Sequence, residues 1–180
     1  MKTFVALLRG VNVGGNRKVE MARLREIVAA AGGTDARTLL QSGNVVFRSS
    51  ATAPSLERKL EAQTAADLAV ETRFFVRTAE EWTKIVAANP FPEWAERDPG
   101  HLIVAFFGEK TKVDAVPALR KKISGPELVE GKGRELYLVY PSGMGTSRFT
   151  TALIEKTLGS PMTARNWNTV TKLAALAKSL

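Results

Sequence analysis

Thr3-Phe4-Val5-Ala6-Leu7-Leu8-Arg9-Gly10-Val11-Asn12-Val13-Gly14-Gly15-Asn16-Arg17-Lys18 decides how the rest of the chain is read. The run 3–8 is short and apolar, the pattern of a β-strand buried on both faces. A helical stripe follows over residues 20–31, carried by Met21, Leu24, Ile27, Val28 and Ala31 and ended by Gly32-Gly33. Residues 9–18 are therefore a strand-to-helix turn with three glycines, two asparagines and three cations. Glycine there permits positive φ and a close backbone approach. No Ser, Thr, Asp or Asn precedes Glu20, so the first amides of the helix lack an obvious side-chain acceptor. Open amides beside Arg17 and Lys18 suit an anion. The competing reading is a tight turn whose asparagines bond the backbone locally.

Two nucleotide motifs are excluded. Gly10 and Gly15 have P-loop spacing, but Asn16 and Arg17 stand where Lys and Ser/Thr are required. The glycine spacing also fails the dinucleotide fingerprint.

Working outward, residues 37–41 and 44–47 flank Ser42-Gly43 and read as a hairpin. Leu56 and Leu60 begin a second helix with Pro54 in its first turn. Residues 70–76 read as a strand. The order is β-α-β-β-α-β, the split unit of ferredoxin-like domains. Thr78 and Glu81 form a capping box that opens a linking helix bearing Trp82, Ile85 and Val86. Pro90 stops it, and residues 89–100 form a turn-rich linker whose aromatics, Phe91 and Trp94, are expected to pack onto a domain.

The second half repeats the outline. Residues 101–107 match 3–8; a helix over 113–123, a hairpin over 127–140, a helix over 147–158 and a short strand over 162–164 follow. A C-terminal helix from Trp167 to Ser179, with Asn166 as N-cap, closes the chain. The expected class is α+β: two tandem ferredoxin-like subdomains, a linking helix and a C-terminal helix. The division is 1–88, a linker 89–100, and 101–180. In such a sheet the first and third strands are expected to run parallel, so that the turns after them leave one edge.

The chain has 180 residues, no cysteine, a formal charge of +8 and a pI near 10. Absent cysteine excludes disulfides and thiolate metal sites; with a single histidine, neither metal nor cofactor is expected. Arg9 breaks the first apolar run too early for a signal peptide, and no segment is long enough for a membrane span. A cytoplasmic protein with no membrane partner is expected. The basic balance favours an anionic partner, a phosphorylated small molecule or nucleic acid. The cations are interleaved with acids, as in Glu57-Arg58-Lys59, so nucleic-acid binding is expected to be weak.

Three cations stand at expected helix starts, Lys18, Arg148 and Arg165, where they oppose the macrodipole. Pro141-Ser142-Gly143-Met144-Gly145-Thr146-Ser147-Arg148 is a second glycine-rich turn, with Thr146 or Ser147 able to cap. Gln41-Ser42-Gly43-Asn44 and Arg165-Asn166-Trp167-Asn168 are amide-rich, as in turns or base-reading surfaces. Acid–base machinery is thin. His101 reads as structural, and nothing singles out carboxylates such as Glu20 or Glu155. The expected ligand-binding residues are Arg9, Asn12, Gly14, Gly15, Arg17 and Lys18, with Arg148 as a second contact. A small-anion or phosphorylated-ligand binding protein is therefore expected. The alternatives are an enzyme on a phosphorylated or nucleotide substrate, and a nucleic-acid or protein interaction module.

Taken together, several motifs resemble one family: Leu7-Leu8-Arg9-Gly10-Val11-Asn12-Val13-Gly14-Gly15, Gln41-Ser42-Gly43-Asn44-Val45-Val46-Phe47, Asn89-Pro90-Phe91, Arg134-Glu135-Leu136-Tyr137-Leu138 and Arg165-Asn166-Trp167-Asn168-Thr169-Val170. The chain resembles the bacterial domain-of-unknown-function family 1697 over essentially its whole length. The resemblance implies a compact α+β protein with ferredoxin-like subdomains and no established activity, substrate or cofactor. Two positions depart from the family pattern. Arg148 stands where Lys is expected, replacing a flexible point charge by a planar fork. Glu20 stands where proline is common, so a carboxylate competes for the open helix amides.

Overall fold

The computed structural model describes residues 1–10, 19–108 and 115–180. They form two compact units, Met1–Lys84 with Lys172–Leu180, and Ile85–Thr171. The architecture is mixed α+β, with two four-stranded antiparallel sheets.

The first unit contains β1 (Lys2–Leu8), α1 (Met21–Ala30), β2 (Thr34–Leu39), β3 (Asn44–Ser49), α2 (Ala53–Leu68) and β4 (Phe74–Thr78). The sheet order is β2-β3-β1-β4. Residues 4–8 of β1 are each at most 1% exposed, so the strand is buried on both faces as its unbroken apolar run predicts. Phe4, Ala6 and Leu8 share a core with Leu24, Ile27 and Val28 of α1 and Leu56 and Leu60 of α2. Pro54 sits in the first turn of α2, where its missing N–H costs nothing.

Strand β4 begins four residues later than residues 70–76 suggest. Helix α2 runs to Leu68 and ends on Ala69 in the left-handed conformation. Glu61 and Glu57 on α2 then accept hydrogen bonds from the backbone N–H groups of Phe74 and Val76, at 3.0 and 2.9 Å. These long-range bonds fix where pairing with β1 begins.

Helix α3 (Ala79–Ala87) follows β4 directly. Its capping box is formed: the Glu81 N–H donates to Thr78 Oγ1 at 3.1 Å, and the Thr78 N–H donates to Glu81 Oε2 at 2.8 Å. The stretch after it holds α4 (Pro92–Arg97), with the Arg97 guanidinium 4.1 Å from the ring centroid of half-buried Trp94.

The second unit contains β5 (Leu102–Phe107), α5 (Ala115–Arg120), β6 (Leu128–Lys132), β7 (Glu135–Val139), α6 (Thr151–Leu158) and β8 (Met162–Asn166). Helix α7 (Trp167–Lys178) ends the chain, its N-cap Asn166 accepting from the Thr169 N–H at 3.0 Å. The order β6-β7-β5-β8 repeats that of the first sheet. Repetition reaches individual bonds. The Leu8 N–H donates to Gly43 O at 2.8 Å, and the Phe107 N–H donates to Arg134 O at 3.0 Å.

One expectation is overturned. The first and third strands of each unit pair antiparallel, β1 with β3 and β5 with β7. Each sheet inserts the third strand between the two strands joined by the first helix crossover. The glycine-rich turn after β1 and the one after β7 therefore leave opposite ends of their respective sheets.

Candidate functional site

The end of β1 is held by the segment that leads into β4. The Arg9 N–H donates to Arg73 O at 2.9 Å, and Thr72 Oγ1 donates to Arg9 O at 2.8 Å. Gly10 then turns the chain with φ at +63°, a conformation glycine adopts without a steric penalty. Arg9 is half-buried and Gly10 exposed. Asn12, Gly14, Gly15, Arg17 and Lys18 lie outside the described residues. Beyond them, buried Val19 anchors the chain before α1. Glu20 is the N-cap of α1 in an extended conformation, and its carboxylate makes no cap bond. No acidic residue occupies the first turn. The carboxylate thus leaves the helix amides open.

The neighbouring Gln41-Ser42-Gly43-Asn44 turn is fixed from within. Buried Asn44 donates through Nδ2 to Leu39 O at 2.8 Å and to Ser42 Oγ at 2.9 Å. Its amide serves the turn, the commoner use of such residues.

The second glycine-rich turn borders a cleft of about 350 Å³ that includes Gly125, Glu127, Ser142, Gly143, Ser147 and Arg148. Thr150, rather than Thr146 or Ser147, caps α6, accepting from the Leu153 N–H at 3.2 Å. The Ser147 hydroxyl is diverted to the Glu127 carboxylate and also accepts from the Phe149 N–H at 3.0 Å. Thr146 Oγ1 donates to Ser142 O at 2.9 Å. The buried Tyr140 hydroxyl donates to Phe149 O at 2.9 Å and closes the back of the turn. Burial pushes that phenol up to about 12. Arg148 is exposed and makes no ion pair or hydrogen bond among the described residues.

Of the three cations assigned to helix starts, Lys18 is outside the described residues and Arg148 precedes α6 by two residues. Arg165 lies within β8, where its guanidinium donates to Thr163 Oγ1 at 2.8 Å and to Ala164 O at 2.7 Å. Burial lowers its pKa to about 10, still far enough above neutrality to keep the charge. These two bonds tie it to its own strand.

His101, read from the sequence as structural, has a carboxylate partner. Its Nδ1 lies 2.6 Å from Asp98 Oδ2, and both side chains are about two-fifths exposed. The signal was an Asp-x-x-His spacing just before β5.

A family model described as "Protein of unknown function (DUF1697)" matches residues 1–137. No curated protein matches the chain. Among solved structures, it is similar to the conserved bacterial protein SP0830 from Streptococcus pneumoniae. The identity is 25% and the TM-score 0.75, over 98% of each chain.

Proposed function

The chain belongs to the DUF1697 family, described only as of unknown function, and from that premise we propose that it binds a small anion or a phosphorylated ligand. The principal site is the glycine-rich stretch between β1 and α1. Arg9, Arg17 and Lys18 supply charge, Gly14 and Gly15 supply close amides, and Asn12 orients the ligand. The reading rests on one observation: α1 opens without a side-chain cap immediately after this cationic stretch. A ferredoxin-like assignment of each unit belongs to the same proposal, supported by the repeated sheet order. So does a cytoplasmic setting, supported by the lack of cysteine. Among the described residues no helix is long and apolar enough to cross a membrane.

A thermal-shift screen of phosphate, nucleotides and sugar phosphates tests this, with turnover assayed on every hit. A ligand at about 100 times its Kd stabilises by about 2.7 kcal/mol. Replacing Arg17 and Lys18 together by alanine is expected to remove most of that shift for at least one of these ligands while the unliganded protein stays folded. A double variant that keeps the full shift for all of them reduces the stretch to a turn. Consumption of a hit establishes an enzyme instead.

A further inference from the structure

The cleft of the second unit and the Asp98–His101 pair meet at one residue. Gly143 borders the cleft, and a Cβ built on it would lie 3.8 Å from His101 Nε2. We propose that cleft and pair form one ligand site, separate from the glycine-rich stretch after β1. It takes a small molecule with a single phosphate on a hydroxyl-bearing carbon skeleton.

The backbone sets the imidazole in place. The His101 N–H donates to Asp98 O at 3.1 Å, and the Tyr140 N–H donates to His101 O at 3.0 Å. An ionised carboxylate only accepts, so Asp98 holds the proton on Nδ1. In the neutral ring Nε2 is then a bare acceptor beside Gly143, suited to a ligand hydroxyl. Gly143 has φ at +86°, which a side chain adopts only under strain, so the turn keeps this flank open.

Polar groups in the cleft divide into committed and available ones. Ser147 is bound to Glu127 and to the Phe149 N–H, and Thr146 to Ser142 O. Arg148 and the exposed Ser142 hydroxyl have no partner among the described residues. Arg148 is thus the phosphate ligand, its planar fork matching a phosphate edge. Glu127 decides the ligand class. Its Oε2 would lie 2.6 Å from a Cβ on Gly125, so the carboxylate folds against that glycine at the cleft wall. A carboxylate there repels a second anionic group and accepts from hydroxyls. One phosphate on a polyol satisfies both; a nucleoside triphosphate does not. The volume of about 350 Å³ is of the size that holds such a ligand.

His101 is the only histidine, so one imidazole spin system reports the site without assignment. The full-length protein is titrated with glucose 6-phosphate while the ring proton and nitrogen signals are followed by NMR. A saturable displacement is expected. Arg148→Ala, an exposed position that leaves the core intact, weakens the affinity about tenfold or more, the loss of one charge-assisted contact. The Arg17→Ala, Lys18→Ala double variant leaves the titration unchanged, which separates this site from the stretch after β1. Glucose alone and inorganic phosphate alone each bind more weakly than the combined molecule. Imidazole signals that stay fixed, an Arg148→Ala titration like the wild type, or loss of the displacement in the double variant overturns the proposal. Equal affinity for inorganic phosphate overturns the hydroxyl-bearing class.

Discussion

Glu155 Oε1 accepts a hydrogen bond of 2.8 Å from the backbone N–H of Met162, the first residue of β8. Glu61 makes the same contact to Phe74, the first residue of β4. Each carboxylate stands on the helix before the last strand of its sheet and fixes where that strand begins. Glu155, open to a catalytic reading in the sequence, is thereby engaged with the backbone.

Glu155→Ala is expected to cost about 1–3 kcal/mol, because it strips a charged acceptor from a buried strand end. Urea unfolding checks it. A variant with an unchanged midpoint shows that β8 starts where it does for another reason.

Gly33 occupies a tight space behind α1. A Cβ there would lie 2.5 Å from Val28 Cγ1 and 2.7 Å from Phe47 Cδ2, both fully buried side chains. Gly33→Ala is expected to destabilise by about 1–3 kcal/mol through overpacking. Gly108→Ala is the control, since among the described residues nothing lies within 4 Å of its added methyl and its φ is not left-handed. A calorimetric midpoint for Gly33→Ala equal to that of Gly108→Ala contradicts the packing account.

What was legible in the sequence was local. The α1 stripe, the Thr78–Glu81 capping box and the Asn166 cap depend on residues three or four apart, and each appears as read. Both hairpins carry glycine at positive φ in their turns, Gly43 and Gly133. Errors arose where distant groups intervened. β4 shifted because Glu57 and Glu61 reach it from α2, and α6 starts late because Ser147 turns to Glu127, twenty residues earlier in sequence. Parallel first and third strands were a topological error that register alone corrects. For the site, the Asp98–His101 spacing was visible, but its approach to Gly143 follows from the pairing of His101 with Tyr140 at the end of the sheet. The first glycine-rich stretch was legible as chemistry; five of its proposed ligand residues lie outside the described residues.

The two tyrosines, both buried, predict the alkaline stability. Burial raises Tyr140 from 10.0 to about 12 and raises Tyr137 as well. Above pH 10 the unfolded chain releases phenolic protons that the folded protein keeps, so stability falls as pH rises toward 12. Two phenolic protons give a loss of up to about 2.7 kcal/mol per pH unit. Urea midpoints across the window check the slope, and Tyr140→Phe is expected to flatten it. Rising stability, or early tyrosinate absorbance in the native protein, contradicts this.

Nucleic-acid binding is expected to be weak and electrostatic. The net charge of +8 supplies a general attraction to polyanions, but the cations alternate with acids. Several are already engaged: Arg23 pairs with Asp67, Lys84 with Glu80, and Arg120 with Glu130. Buried Arg77 is withdrawn from the surface. The remaining cations are spread along the chain rather than run together, and the affinity rests on counterion release. Fluorescence anisotropy with a labelled duplex and a labelled single strand, from low to physiological salt, is the measurement. Log affinity is expected to fall linearly with log salt, with little difference between sequences, and binding is expected to vanish by physiological ionic strength. Tight, salt-resistant binding to either probe identifies a dedicated nucleic-acid module and displaces the small-anion reading.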